Sequence, residues 1–206
     1  GYVCVSVDYR LAKDLAQPDG FQLINLFDDC LDAANYIISN SQGYGIDRNR
    51  VIVLGESAGG QLAGALATFP RARHLNLCGA ILVNPIMDFV NDLFWQTYVP
   101  KESVHPALRN LSFPQRCVYL SPLWQINHET CPIILLHGMD DSVVSPDHSI
   151  RTYESMKTVG RPCQLHLFEK TSHAFLLTEF KDSPFACRSG VALISASAHE
   201  LVQNGV

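Results

Sequence analysis

Residues 51–60 read Val-Ile-Val-Leu-Gly-Glu-Ser-Ala-Gly-Gly. The apolar run has the pattern of a strand buried on both faces, which is a feature of parallel sheets. The following Gln61-Leu62-Ala63-Gly64-Ala65-Leu66-Ala67 reads as a helix. A serine on a sharp strand-to-helix turn is held in a strained backbone conformation with its hydroxyl facing outward. Glycines suit this turn because the backbones of strand and helix crowd on either side. The helix N-terminus beneath Ser57 leaves N–H groups free, and these favour an oxyanion at that point.

A serine hydroxyl needs a base to become a nucleophile, and the base needs an orienting carboxylate. Both follow in the chain. Pro132 to Gly138 reads as a second buried strand and runs directly into Met139-Asp140-Asp141-Ser142. Cys163 to Glu169 reads as a third, followed by Lys170-Thr171-Ser172-His173-Ala174-Phe175. Serine, acid and histidine each lie just past the carboxyl end of a strand, where open α/β sheets place their chemistry. Asp140 and Asp141 both qualify by position.

The chain resembles the α/β-hydrolase superfamily of esterases and lipases. Within it the similarity is to the hormone-sensitive-lipase-like esterases and the acetyl-xylan and feruloyl esterases. Five segments carry it: Val7 to Leu11, Tyr44 to Val51, Gly55 to Gly60, His137-Gly138 with Asp141 and Val144, and Ser172 to Phe175. The resemblance implies an α/β-hydrolase fold, a mostly parallel sheet flanked by helices. It implies Ser57 as nucleophile, Asp141 rather than Asp140 as acid, and His173 as base. It also implies the Ala58 N–H as one oxyanion-hole donor. Such enzymes carry a His-Gly-Gly-Gly loop upstream of the Asp8-Tyr9-Arg10 segment, and no such run occurs here. The expectation is therefore a fragment without the first strands of the fold. In the family's strand order, residues 2–7 match a strand whose two neighbours both lie upstream. Residues 1–206 expressed alone are accordingly expected to fold poorly and to be essentially inactive.

Composition fits one α/β domain over residues 1–206, with 47% hydrophobic residues. A net charge of −5 without any basic run argues against a nucleic-acid partner. No apolar stretch reaches membrane-spanning length. The partner expected is a small-molecule ester, with no cofactor and no metal; the oligomeric state is not legible. The seven cysteines include no C-x-x-C pair, and Cys4, Cys30, Cys78 and Cys163 sit in apolar runs. They read as small core residues, which leans toward a reducing, cytoplasmic compartment.

The remaining chain alternates strand and helix. Residues 2–7 and 79–85 read as strands; residues 22–39, 147–159 and 186–203 read as helices. Asp28, Asp29 and Asp32 fall off the apolar stripe of the first helix and read as its solvated face. Residues 86–128 interrupt the alternation. They carry Phe89, Phe94, Trp95, Tyr98, Phe113, Tyr119 and Trp124, and prolines that argue against long helices. They are expected to form a cap-like insertion, with rings that either line the substrate pocket or pack the insertion onto the body. Asp8 and Arg10 are expected to pair. His137 is expected to bond backbone near the acid loop, and His74, His105, His128, His148 and His199 show no acid or nucleophile partner at readable spacing. The function expected is hydrolysis of small or carbohydrate-linked acyl esters through an acyl-enzyme. A prolyl-oligopeptidase-like peptidase or amidase is the alternative, and a non-catalytic binding protein of the same fold the third reading.

Overall fold

The computed structural model of the chain describes residues 2–11, 21–176 and 184–204. Its centre is a four-stranded sheet of β1 (Ile52–Glu56), β2 (Gly79–Val83), β3 (Ile133–Gly138) and β4 (Cys163–Phe168). The strands lie in the order β1-β2-β3-β4, and every pair is parallel. The α-helices among the described residues are α1 (Leu23–Ser39), α2 (Ala58–Thr68), α3 (Leu93–Gln96), α4 (Phe113–Leu120), α5 (Asp147–Thr158) and α6 (Pro184–Asn204).

Alternation along the central strands decides which helix covers which face. Ala80, Leu82, Ile133 and Leu135 pack with Ala63 of α2 and Met156 of α5. Ile81, Val83, Ile134 and Leu136 point the other way and pack with Ala198 and Leu201 of α6. The result is a helix–sheet–helix sandwich in which β2 and β3 are buried throughout, as their unbroken apolar runs predict. On its outer side α2 buries Leu62, Ala65 and Leu66 against Leu23, Ile24 and Phe27 of α1. An Asn25/Gln22 capping box closes the N-terminus of α1.

Residues 2–7 form no strand. A strand is defined by the ladder it pairs into, and none of the described strands pairs with this segment. Cys4 is accordingly exposed and not a core residue, whereas Val7 and Tyr9 rest against the cluster around α1. Arg10 does not pair with Asp8. Its guanidinium grips both carboxylate oxygens of Asp29 at 2.6–3.0 Å, so two successive polar positions of α1 are engaged rather than solvated. The other is Asp28, which meets Arg71 at 2.7 Å and His105 at 2.8 Å.

Residues 86–128 contain only α3, α4 and a 3₁₀ turn at Pro122–Gln125. Phe89, Val99, Leu108, Cys117 and Leu120 are buried in the same cluster as α1 and α2. The segment is tied down by a buried carboxylate. Asp88 Oδ1 accepts from the Val90 and Asn91 N–H groups and from Trp124 Nε1; Oδ2 accepts from Asn91 Nδ2 and from Arg151 Nη1 of α5. Burial alone would raise the Asp88 pKa. The hydrogen bonds from Asn91, Val90 and Trp124 outweigh that and hold it below the usual carboxylate value.

A group with a depressed folded-state pKa contributes stability above its unfolded pKa and loses it as pH falls. Asp88→Ala is expected to lower stability at pH 7 by about 3 kcal/mol, as one partner leaves a buried charged network. The gap between wild-type and variant urea midpoints should narrow below about pH 4, the unfolded carboxylate value. A gap independent of pH would show that packing, not charge, accounts for the loss.

Candidate active site

Register explains why three distant residues converge. Glu56 is level with Val83, Val83 with Leu136, and Gly138 with Phe168. Each strand therefore ends at one edge of the sheet, and the loops that follow leave from that edge.

Ser57 begins where β1 stops. Its N–H donates to Val83 O at 2.9 Å, adding one rung beyond the strand, and its C=O accepts from Gln61 N–H at 3.0 Å to start α2. Serving both elements forces φ 55° and ψ −118°, an unfavourable region for a residue with a side chain. A Cβ on Gly55 would strike the Gly59 carbonyl, and one on Gly60 would press on Pro85. Gly59 itself faces open space, so crowding explains two of the three glycines and not the third.

The acid and histidine loops are laced together by backbone. Met139 N–H donates to Phe168 O at 2.9 Å and Asp140 N–H to Thr171 O at 3.0 Å. Gly138 lies so close to Thr171 that a side chain there would collide with its carbonyl. This lacing brings Asp141 Oδ2 within 2.6 Å of His173 Nδ1, and His173 Nε2 within 2.8 Å of Ser57 Oγ. Asp140 is exposed and takes no part. The other oxygen of Asp141, Oδ1, accepts from the Val143 and Val144 N–H groups, each at 2.9 Å. Burial would push the Asp141 pKa up. Hydrogen bonds from His137, His173, Val144 and Val143 prevail and hold it well below the usual carboxylate range. The carboxylate is thus a fixed negative partner for whatever proton His173 carries.

Ala58 is the first residue of α2, so its N–H is among those a helix leaves without an intrahelical acceptor. Glu56, on the other side of Ser57, accepts from the Leu176 N–H at 3.3 Å, tying the strand end to the histidine loop. Burial raises its pKa, with the Leu176 N–H and nearby His173 acting in the opposite direction.

The contacts beyond these were not readable from spacing. Asn84 Oδ1 accepts from Gly138 N–H across 54 positions. His148, fully buried on α5, accepts through Nδ1 from the Met87 and Asp88 N–H groups and approaches Asp92 with Nε2 at 3.2 Å. His105 has Asp28 as its acid partner, and His74 meets Asn35. Among the described residues, no three His, Cys, Asp or Glu side chains gather to hold a metal, and no helix is long and apolar enough to cross a membrane.

A family model described as alpha/beta hydrolase fold matches residues 1–177. The chain belongs to that family. An alpha/beta hydrolase of Acanthamoeba polyphaga mimivirus is 38% identical over 189 residues, covering 84% of this chain and 51% of that protein. The esterase LipC of Mycobacterium tuberculosis is 25% identical over 178 residues, covering 78% and 42%. The chain thus spans about half the length of the curated relatives it matches. The butyrate-bound structure of the thermophilic esterase Est2 of Thermogutta terrifontis superposes with a TM-score of 0.70 at 21% identity, over 87% of this chain and 66% of that one. That likeness is one of fold.

The glycine geometry can be tested directly. Gly55→Ala is expected to destabilise by roughly 1–3 kcal/mol or more, because neither backbone can retreat. Gly59→Ala, in open space within a helix, should leave stability unchanged or raise it by up to about 1 kcal/mol. Urea melts of the two variants give the comparison, and equal losses would refute the crowding account.

Proposed function

We propose that this chain forms the catalytic part of a serine carboxylic-ester hydrolase. The observation that supports the reading is the unbroken line from Ser57 Oγ through the His173 ring to Asp141. In this mechanism His173 Nε2 takes the Ser57 proton as Oγ attacks the ester carbonyl. Asp141 holds the imidazole with Nδ1–H inward and stabilises the imidazolium that forms. The Ala58 N–H donates to the tetrahedral oxyanion at the α2 N-terminus. His173 returns the proton to the departing alcohol, leaving an acyl-Ser57. Water, deprotonated by His173, then releases the acid and restores the serine.

The acyl group proposed is small, in keeping with the butyrate held by the Est2 relative. Residues 86–128 are proposed to cap the pocket. Support comes from Asp92, which accepts from the Phe94 and Trp95 N–H groups at the start of α3 and meets His148 on the helix that follows the acid loop. This contact joins the start of α3 to α5, the helix that follows the Asp141 loop, while Leu93 and Phe94 remain exposed at 78% and 58%.

In the full-length enzyme, Ser57→Ala, His173→Ala and Asp141→Asn should each lower p-nitrophenyl acetate hydrolysis on the order of 10⁴-fold, and combined changes should not multiply. A fluorophosphonate probe should label wild type and not Ser57→Ala. Near-normal turnover by His173→Ala would end the reading, and faster cleavage of a prolyl anilide than of esters would replace it with a peptidase.

Phe94→Ala is expected to alter KM across p-nitrophenyl acetate, butyrate and octanoate more than it alters kcat. Uniform KM values across the series would argue against α3 as part of the pocket. Release of acetate from acetylated xylan separates carbohydrate-linked esters from simple ones.

A further inference from the structure

His137 lies at the end of β3, fully buried, and the proposed mechanism does not use it. Its ring contacts three groups. Nε2 is 3.0 Å from Val144 O and 3.3 Å from Asp141 Oδ2. Nδ1 is 2.7 Å from Ser149 Oγ in the first turns of α5, itself fully buried. Val144 O and the Asp141 carboxylate can only accept, so Nε2 carries the N–H. In the neutral ring Nδ1 is then the acceptor, and the Ser149 hydroxyl donates to it.

The placement of these contacts is specific to the acid. Asp141 and Val144 are the two ends of one tight turn, closed by Asp141 Oδ1 accepting from the Val143 and Val144 N–H groups. His137 reaches both ends from beneath. Asp141 Oδ2 therefore lies between two imidazoles, His173 on the solvent side at 2.6 Å and His137 on the core side at 3.3 Å. The ring of His137 cannot swing away without breaking its bond to Ser149. The carboxylate rotamer is consequently set by the protein interior before His173 meets it.

We infer that His137, fixed by Ser149, is a positioning residue that holds the Asp141 carboxylate in line with His173. The inference rests on the serine-hydrolase reading above. His137 and His173 both help to keep the Asp141 carboxyl ionised against the effect of burial. Outer partners of metal-bound side chains commonly change activity by 10- to 100-fold when lost, and a comparable range is expected for the outer partner of Asp141. Misorientation of the acid is a kcat effect, because ester binding does not involve it.

The test uses the full-length enzyme, not residues 1–206 expressed alone, with p-nitrophenyl acetate. His137→Phe keeps a ring of similar size and removes both nitrogen contacts. Its kcat is expected to fall 10- to 100-fold with KM within about twofold. His137→Gln, which can place an amide N–H near the position of Nε2, should recover much of that loss. Ser149→Ala leaves the imidazole in place and frees its orientation; kcat should fall several-fold. The far-downfield proton resonance shared by His173 and Asp141 should shift or broaden in both the Phe and Ala variants.

A folded His137→Phe protein with wild-type kcat, or a Gln variant no better than Phe, would overturn the inference. If His137→Phe does not fold, Ser149→Ala decides it: unchanged kcat and an unchanged downfield resonance would overturn it. Fluorophosphonate labelling of wild-type Ser57 separates the two levels. Labelled wild type with unaffected variants sinks the role of His137 alone, whereas unlabelled wild type removes the hydrolase reading and this inference with it.

Discussion

Everything at the candidate site hangs on the parallel register of β1, β2, β3 and β4. Parallel pairing makes all four strands finish at the same edge, so Ser57 and His173 meet although they lie 116 positions apart. The register is held by burial. β2 and β3 carry apolar side chains on both faces, and a one-residue slip would exchange the face covered by α2 and α5 for that covered by α6. Those faces differ in shape: Met156 and Ala63 press on one, Leu201 and Ala198 on the other. A shifted register would cost core packing on both sides at once, so the positions of Ser57, Asp141 and His173 inherit the rigidity of the core.

The loops add a second level of constraint. Backbone bonds from Met139 and Asp140 into the histidine loop fix the separation of the acid and histidine segments without any side chain. Side chains then make the final adjustments. Glu56 ties the strand end to Leu176, and Asn84 ties the end of β2 to Gly138. The chemistry proposed for this edge would depend on a stack of ordinary structural contacts, most of which do no chemistry themselves.

What could be read from the sequence follows from the range of the forces involved. The strand–serine–helix turn is a local pattern, and so are the acid and the histidine just beyond their strands. Each is set by a few neighbouring residues. Helices α1 and α5 were equally readable from their apolar spacing. The contacts that were missed join distant residues with no spacing in common: Arg10 with Asp29, His105 with Asp28, His148 with Asp92. Each exists because a polar group, once buried by the fold, must find a partner wherever one is near. Residues 2–7 failed for a related reason. Their apolar character suits a strand, but a strand exists only where a neighbouring backbone accepts it, and sequence pattern carries no information on that. Gly59 shows the limit of motif reasoning even at short range, because the motif retains a glycine where sterics alone would allow a side chain.

Among the described residues, five positions other than glycine have positive φ: Ser57, Asn76, Asn84, Lys170 and Ala174. Four of them surround the candidate site, at the ends of β1 and β2 and on either side of His173. Positive-φ backbone is therefore concentrated where the chemistry is proposed to occur, with Asn76 the one such position away from it among the described residues. Selection for heat resistance alone would find its easiest gains at these positions, by placing glycine where the backbone already prefers it. Such gains would loosen the geometry on which the proposed turnover would depend. In this molecule robustness and the proposed activity would draw on the same few backbone angles, and a lineage pressed for one would be expected to drift away from the other.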